Sequence, residues 1–453
     1  MIIFRRRLLY WLIKAYIKKW GKTIFLFFLF GLFLFFGLRY SYGTILPLLP
    51  IEQRVTIGIV GAYRLDSLPD DLLSYIALGL TSLDANGTVK PGIAHSWKIQ
   101  DKGKKYVFSL RKDLYFSDGD KVTAQTISYN FADTKKTNKD PYTIVFEIKE
   151  TYNPFLVRLS QPIVRQNLTG VGEYRVKRFK LNGEYVEHIT LVSTIDPRKV
   201  RSYQFYSNED ALKTAYALGE IRNAIGLSSI TFNNKSFDLF ANTTVQKEVN
   251  TRRLITMFYN TQDAMLSSRE LRSALTYALP DKFEQGERNR LPYPSSLWAV
   301  APQHSYAQDI ESSKILLKTS GVATQSGELV FTIKTLAKYE KTAKIIQETW
   351  QSLDIAAKIE VVDKVPNDFQ IFLGDFLVPQ DPDQYSLWHS DQPNNIARYR
   401  NQRIDKLLED GRQMENPSIA QRKKIYADFQ KYLLADAPAA FLYFPYEYTL
   451  TRK

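Results

Sequence analysis

The spacing of apolar and polar positions changes along this chain, and the changes divide it. From Ile24 to Leu38 every residue is apolar or glycine, and extending the run to Tyr42 adds one charge, Arg39. In a helix such a run spans roughly 28 Å, close to the hydrocarbon thickness of a bilayer. One transmembrane helix is therefore expected over residues 24–42. A cleaved signal peptide also begins with an apolar run, but its core is shorter and ends in small residues. Arg39 to Gly43 offers no such site, so a retained anchor is expected. Seven basic residues precede the run, Arg5, Arg6, Arg7, Lys14, Lys18, Lys19 and Lys22, with no acid among them. The positive-inside rule then places residues 1–23 in the cytoplasm and everything beyond about residue 45 outside. Leu8, Leu9, Trp11, Leu12 and Tyr16 are interleaved with these cations. That pattern suits either a segment lying on an anionic leaflet or a plain topology signal.

After a linker with Pro47 and Pro50 the period shortens. Arg54 to Val60 alternates and is β-branched, which predicts a strand. Further strands are expected at 105–111, 143–149, 173–178, 188–193 and 255–259. Helices are expected at 70–80, 123–133 with Thr123 as N-cap, 210–218, 268–278 and 312–319. Strand 328–335, helix 342–351 and strand 357–362 follow one another, the order of a parallel βαβ unit. A long helix over 417–434 closes the chain before Pro438, and Ser117 to Asp120 reads as a tight turn.

Composition narrows the chemistry. Hydrophobic residues make up 44% of the 453 positions, and 28 Tyr with 27 Phe are enough to fill cores, so disorder is excluded. Cysteine is absent, which removes disulfides, thiolate metal sites, a Cys nucleophile and a lipidated cysteine. His95, His188, His304 and His389 show no metal-ligand spacing. The net charge of +14 resembles that of a nucleic-acid binder, yet +8 of it lies in the first fifty residues. The outer part is an ordinary mixed surface, and nucleic acid is not expected as a partner. Nothing matches a Gly-x-Ser-x-Gly elbow, a His-Glu-x-x-His helix or a phosphate-binding loop, so no catalytic residues, cofactor or metal are assigned.

Several blocks then occur in a familiar order. Leu65 to Leu68 is followed by Gly79-Leu80, Gly87, Pro91, Ala94, Ser96 and Trp97. Tyr106 to Arg111 comes next with Phe116-Ser-Asp-Gly119, and then Gly170 to Tyr174, Phe258 to Asn260, Leu271 to Ala278, Asp381-Pro382, Arg422 to Leu434 and Pro438 to Tyr443. Together they resemble the peptide, dipeptide and nickel-binding family of extracellular solute-binding proteins that serve ABC importers, over nearly all of residues 52–450. The resemblance implies an α/β, two-lobed periplasmic-binding-protein fold of type II, in the large peptide-binding subclass with an extra subdomain, preceded by the transmembrane helix. It implies 52–83 as the first part of lobe I, 84–154 as its insertion, 155–245 as its second part, 246–430 as lobe II and 431–453 as a return to lobe I, after a linker at 43–51. Chain crossings are expected near 245–260 and near 430. Trp97, Phe108, Phe116 and Asp118 are expected to be scaffold.

The implied function is capture of a peptide or similar small ligand between the lobes for delivery to ABC permease subunits, by an anchored monomer. An anchored sensor or scaffold that has lost transport is the alternative. Peptide binders in this family anchor the ligand's ammonium on an Asp shortly before an acidic-Pro step. Here that position falls on Val378. Asp375, Asp381 or Asp383 is expected to supply the charge from nearby, or else the ligand lacks a free amine. Tyr385, Trp388 and Trp298 are expected to line the pocket, although aromatics in such a composition are more often core. Gly61, Ala62 and Tyr63, after the first strand, are expected to face them.

Overall fold

In the computed structural model, residues 2–44, 52–129, 131–301, 306–321, 329–415 and 417–453 are described. They fall into two compact units, residues 1–54 with 196–200 and the remainder. His304, the linker residues 45–51 and Glu328 of an expected strand lie outside the described residues.

The first unit is dominated by one helix, Ile2–Thr44, longer at both ends than the expected span. Its Tyr10–Ser41 portion is long and apolar enough to cross a membrane, and its most apolar stretch is unburied. Phe25, Leu26, Phe27 and Phe33 are all exposed. A soluble helix of this composition hides such a face, so length and exposure together suit a bilayer crossing.

In the second unit, a twelve-stranded sheet is organised around the last strand, Ala439–Arg452. Its outer half pairs with Asn223–Leu227 and with Thr243–Val249. Asn223–Leu227 runs parallel to the first strand, Gln53–Val60, beyond which lie Lys199–Tyr206, Tyr185–Ser193 and Tyr174–Asn182. Its inner half pairs with Arg253–Tyr259, which continues through Ile371–Leu377 and Leu329–Leu336 to Ile355–Val362. These two arms are the sheets of the two lobes. The expected βαβ unit is present, with Glu340–Gln351 between parallel strands Leu329–Leu336 and Ile355–Val362. Its core gathers Ile333, Phe331, Ile346, Trp350 and Ile371.

The chain passes from one arm of the sheet to the other at Asn250–Arg253 and at Tyr443–Tyr446, and the helix Ile419–Asp436 packs Tyr426, Phe429, Leu433 and Leu434 into the core beside the second arm. Ser418 starts that helix with a capping box to Gln421, and Arg272 closes it by donating to the carbonyls of Asp436 and Ala437.

The insertion is a four-stranded antiparallel sheet, in the order Ala94–Gln100, Lys105–Leu110, Thr143–Ile148, Thr134–Asp140. Phe108, Phe146 and Phe155 meet edge to face in its core. Two expectations fail around it. The helix expected at 70–80 stops at Ile76, because Gly79 lies against another backbone segment: a Cβ there would come 2.6 Å from the Leu159 carbonyl. The helix expected at 123–133 does not form. Residues 124–126 form a turn instead, with Val122, Ala124 and Ile127 buried on that core, and Asp133 takes a φ of 55°. The ammonium of Lys136 satisfies the freed carbonyls of Ala124 and Ile127, each at 2.6 Å.

Lys136→Ala removes both of these donors while leaving the apolar core intact. A loss of about 1–3 kcal/mol is expected, read as a lower melting temperature in calorimetry; an unchanged melt would mean that water replaces the ammonium at no cost.

Candidate functional site

The carboxyl ends of parallel strands are where an open α/β sheet leaves room for a ligand. In the second lobe, the strand Ile371–Leu377 carries Asp375 near that end, in register with Ile255. The segment after Leu329–Leu336 brings Lys338, whose ammonium lies 2.9 Å from Asp375 Oδ1, and Arg253 approaches Oδ2 at 3.2 Å. Asp375 is 14% exposed, whereas Lys338 is 48% and Arg253 38% exposed. The carboxylate is thus sheltered while both cations reach water. Beside it the Tyr339 hydroxyl is buried, and burial followed by the Asp375 charge holds it far above the usual phenol range.

Of the three residues after the first strand, Tyr63 feels the charge of one of these cations, Arg253. Gly61 has a φ of 139°, and a Cβ there would strike the Tyr63 ring at 2.5 Å. Only glycine lets the chain turn so sharply at this point. Tyr63 is tilted against Phe205 at 5.3 Å and donates to the Val60 carbonyl at 3.3 Å. Its phenol is pushed up by burial, with the Arg253 charge opposing and Glu447 adding to the shift. Gly61 and Tyr63 are half-buried and Ala62 is exposed.

Asp381 and Asp383 are placed differently. Asp381 is held by both terminal nitrogens of Arg422, at 2.9 and 2.6 Å, with the two side chains 7% and 11% exposed. Burial opposes the Arg422 charge, but Asp381 outweighs it and keeps the guanidinium above its usual range. Asp383 accepts from Arg412 at 2.9 Å and from the Tyr385 backbone at 3.1 Å, while its own N–H donates to Asp381. Burial nevertheless raises the Asp383 carboxyl, Arg412 notwithstanding. Both acids are thus paired with guanidinium groups.

The aromatic residues also separate. Trp388 is fully buried between Phe258 and Phe441, with its indole N–H on Gln384. It has no surface for a ligand and belongs to the core. Tyr385 stacks on His389 at 4.2 Å under Arg412. Trp298 lies half-buried under Arg422, edge-on to Tyr426. Val378 is buried in the second lobe's apolar cluster, and its N–H donates to the Arg252 carbonyl.

Sequence reasoning missed the cations: Arg253, Lys338, Arg412 and Arg422. One signal was present, since three acids within nine residues of an apolar segment require compensating charge if they are buried. Their partners, however, stand 122, 29 and 41 residues away for Arg253, Arg412 and Arg422. Among the described residues no group of three or more His, Cys, Asp or Glu is arranged to hold a metal.

Residues 88–397 match the model of the bacterial extracellular solute-binding proteins, family 5. The chain is 23% identical to the oligopeptide-binding protein AppA of Bacillus subtilis, over 84% of this chain and 83% of that one. It is 22% identical to the probable D,D-dipeptide-binding protein DdpA of Escherichia coli, over 78% and 79%. Among solved structures it resembles the ABC transporter substrate-binding protein CtaP of Listeria monocytogenes, with a TM-score of 0.75 at 20% identity, covering 89% of this chain and 94% of that one. NikZ of Campylobacter jejuni, in complex with Ni(L-His), gives 0.71 at 20% identity, covering 88% and 94%. At these identities the structural likeness speaks for the two-lobed fold.

The buried pair makes a stability prediction. Asp381→Asn or Arg422→Ala leaves one buried charge unpartnered, with an expected loss of about 3–5 kcal/mol. Chemical denaturation of each variant beside Asp375→Asn, whose partners reach solvent, is the measurement. Equal midpoints for all three would refute the difference in burial drawn here.

Proposed function

Because the chain belongs to family 5 of the bacterial extracellular solute-binding proteins, we propose that it captures a peptide or peptide-like ligand between its lobes and delivers it to an ABC importer. The helix Ile2–Thr44 keeps it attached to the membrane as a monomer, with its N-terminus in the cytoplasm and the two lobes outside. Ligand closure by rigid-body motion of the lobes suits two arms joined through one strand.

The observation that carries the ligand reading is the unequal pairing of the three acids. Asp381 is paired with the buried Arg422 and Asp383 with the half-buried Arg412. Asp375 is sheltered but paired with two cations that reach water. A ligand ammonium can take the place of Lys338 beside Asp375, while the ammonium of Lys338 moves out into solvent at little cost. Asp375 is thus the anchor displaced from position 378, with Gly61, Ala62 and Tyr63 opposite.

Calorimetric titration of the full chain with a free tripeptide, and with its N-acetylated form, tests this. Asp375→Asn is expected to weaken binding of the free tripeptide by about 1–3 kcal/mol, the worth of a charged hydrogen bond, and to leave the acetylated form unaffected. Equal binding of both forms by the unaltered chain would reject an ammonium anchor.

Membrane attachment has its own test. Protein extracted from membranes is expected to begin before residue 20 on N-terminal sequencing. A mature start near residue 43 would show that the apolar segment is a signal peptide.

A further inference from the structure

Between the insertion and the second lobe lies a cavity of about 450 Å³. The insertion side supplies Val89, Ile99, Tyr106 and Val157, and the second lobe supplies Trp298, Ile419 and the Asp381–Arg422 pair. Its walls are held together by direct contacts. The Asn153 N–H donates to the Arg412 carbonyl at 2.8 Å, and the Asn153 amide donates to Gly411 at 3.2 Å. The turn at Gly87, with a φ of 78°, comes so close to the second lobe that a Cβ there would lie 3.0 Å from the Gln380 carbonyl.

Charge in these walls is already spent. Asp381 accepts twice from Arg422 and once from the Asp383 backbone. The Arg422 Nε–H goes to the Gly411 carbonyl and a further N–H to the Tyr426 hydroxyl. An ionised ligand group entering the cavity would lose its hydration and meet no free counter-charge. An apolar group would gain contact with the indole of Trp298, the aliphatic walls and the ring of Tyr106, which burial leaves un-ionised with its phenol pushed up to about 12.

We propose that this cavity receives an uncharged apolar group, an aromatic or branched aliphatic side chain with part of its backbone, carried by the captured ligand. The proposal rests on the capture of a peptide-like ligand and adds the class of that ligand. A group seated there touches the insertion and the second lobe at once, so its binding also favours the arrangement in which the two are in contact.

The test is calorimetric titration of the full chain in detergent with Ala-X-Ala tripeptides, X being Phe, Leu, Ser, Asp or Lys. Phe and Leu are expected to bind at least about tenfold tighter than Ser, Asp or Lys. Val157→Phe fills the cavity from inside, and Ile419→Trp covers it from an exposed position at the rim. In both variants the ratio of Phe to Ser affinity is expected to fall close to one. A ratio near one in the unaltered protein, or an undiminished ratio in both variants, overturns the proposal.

Free indole separates this proposal from the peptide reading. It is expected to raise the melting temperature of the unaltered chain and to leave those of the two variants unmoved. If no tripeptide binds but indole still stabilises in this selective way, peptide capture fails and the apolar pocket stands. If tripeptides bind and indole does not stabilise, the pocket is rejected while capture survives.

Discussion

Both lobes are hydrogen-bonded to one strand, Ala439–Arg452, and this sharing constrains everything else in the outer part. Backbone donors and acceptors buried in a sheet must stay paired, so neither lobe can leave this strand without breaking a ladder. The strand changes partners around Pro445, whose missing N–H suits the place where one ladder ends and the next begins. Asn250 ties the other crossing to it, through its N–H to the Pro445 carbonyl and its amide to Glu447. Relative motion of the lobes is thereby concentrated in the dihedrals of these two short crossings. The Asp375 cluster and Tyr63 lie close to them, where a small rotation changes the gap between the lobes most directly.

A second constraint is charge. The segment Gly374 to Trp388 carries three acids through an apolar lobe, and the fold answers them with guanidinium groups from two separate helices and from the strand at the first crossing. Bidentate Arg422 fixes the Asp381-Pro382 step against the helix Ile419–Asp436, and the Tyr293 hydroxyl holds the Pro382 carbonyl. Asp383 then orients Arg412 under Tyr385 and beside Tyr152 of the insertion. Two of the three acids are thus paired within the second lobe, and Arg412 carries the contact on to the insertion through Tyr152 and Asn153. Buried pairs of this kind add little net stability over an apolar replacement but are costly to break singly, which is why they hold one geometry.

Much of the fold was legible because its signals are local. The apolar run of the N-terminal helix, the alternating first strand and the strand, helix, strand order of the second lobe all depend on residues near one another in the chain. Two readings failed for a shared reason. Thr123 to Asp133 has helix-compatible spacing, and Ala77 to Leu80 continues a helical pattern, but buried contacts elsewhere override both: the insertion's core claims Val122, Ala124 and Ile127, and the Leu159 backbone claims the space beside Gly79.

By itself the sequence determined the long apolar N-terminal helix, the α/β class and the ordered blocks that mark the family, since periodicity, capping and tight turns are set by short-range sterics and hydrogen bonding. Only the tertiary structure decided which acids stay available, that Trp388 is core, and that the last strand serves both lobes. Those outcomes depend on partners tens to hundreds of residues away. Whether a charge is compensated or an indole enclosed is a property of what surrounds it, and no local pattern encodes that.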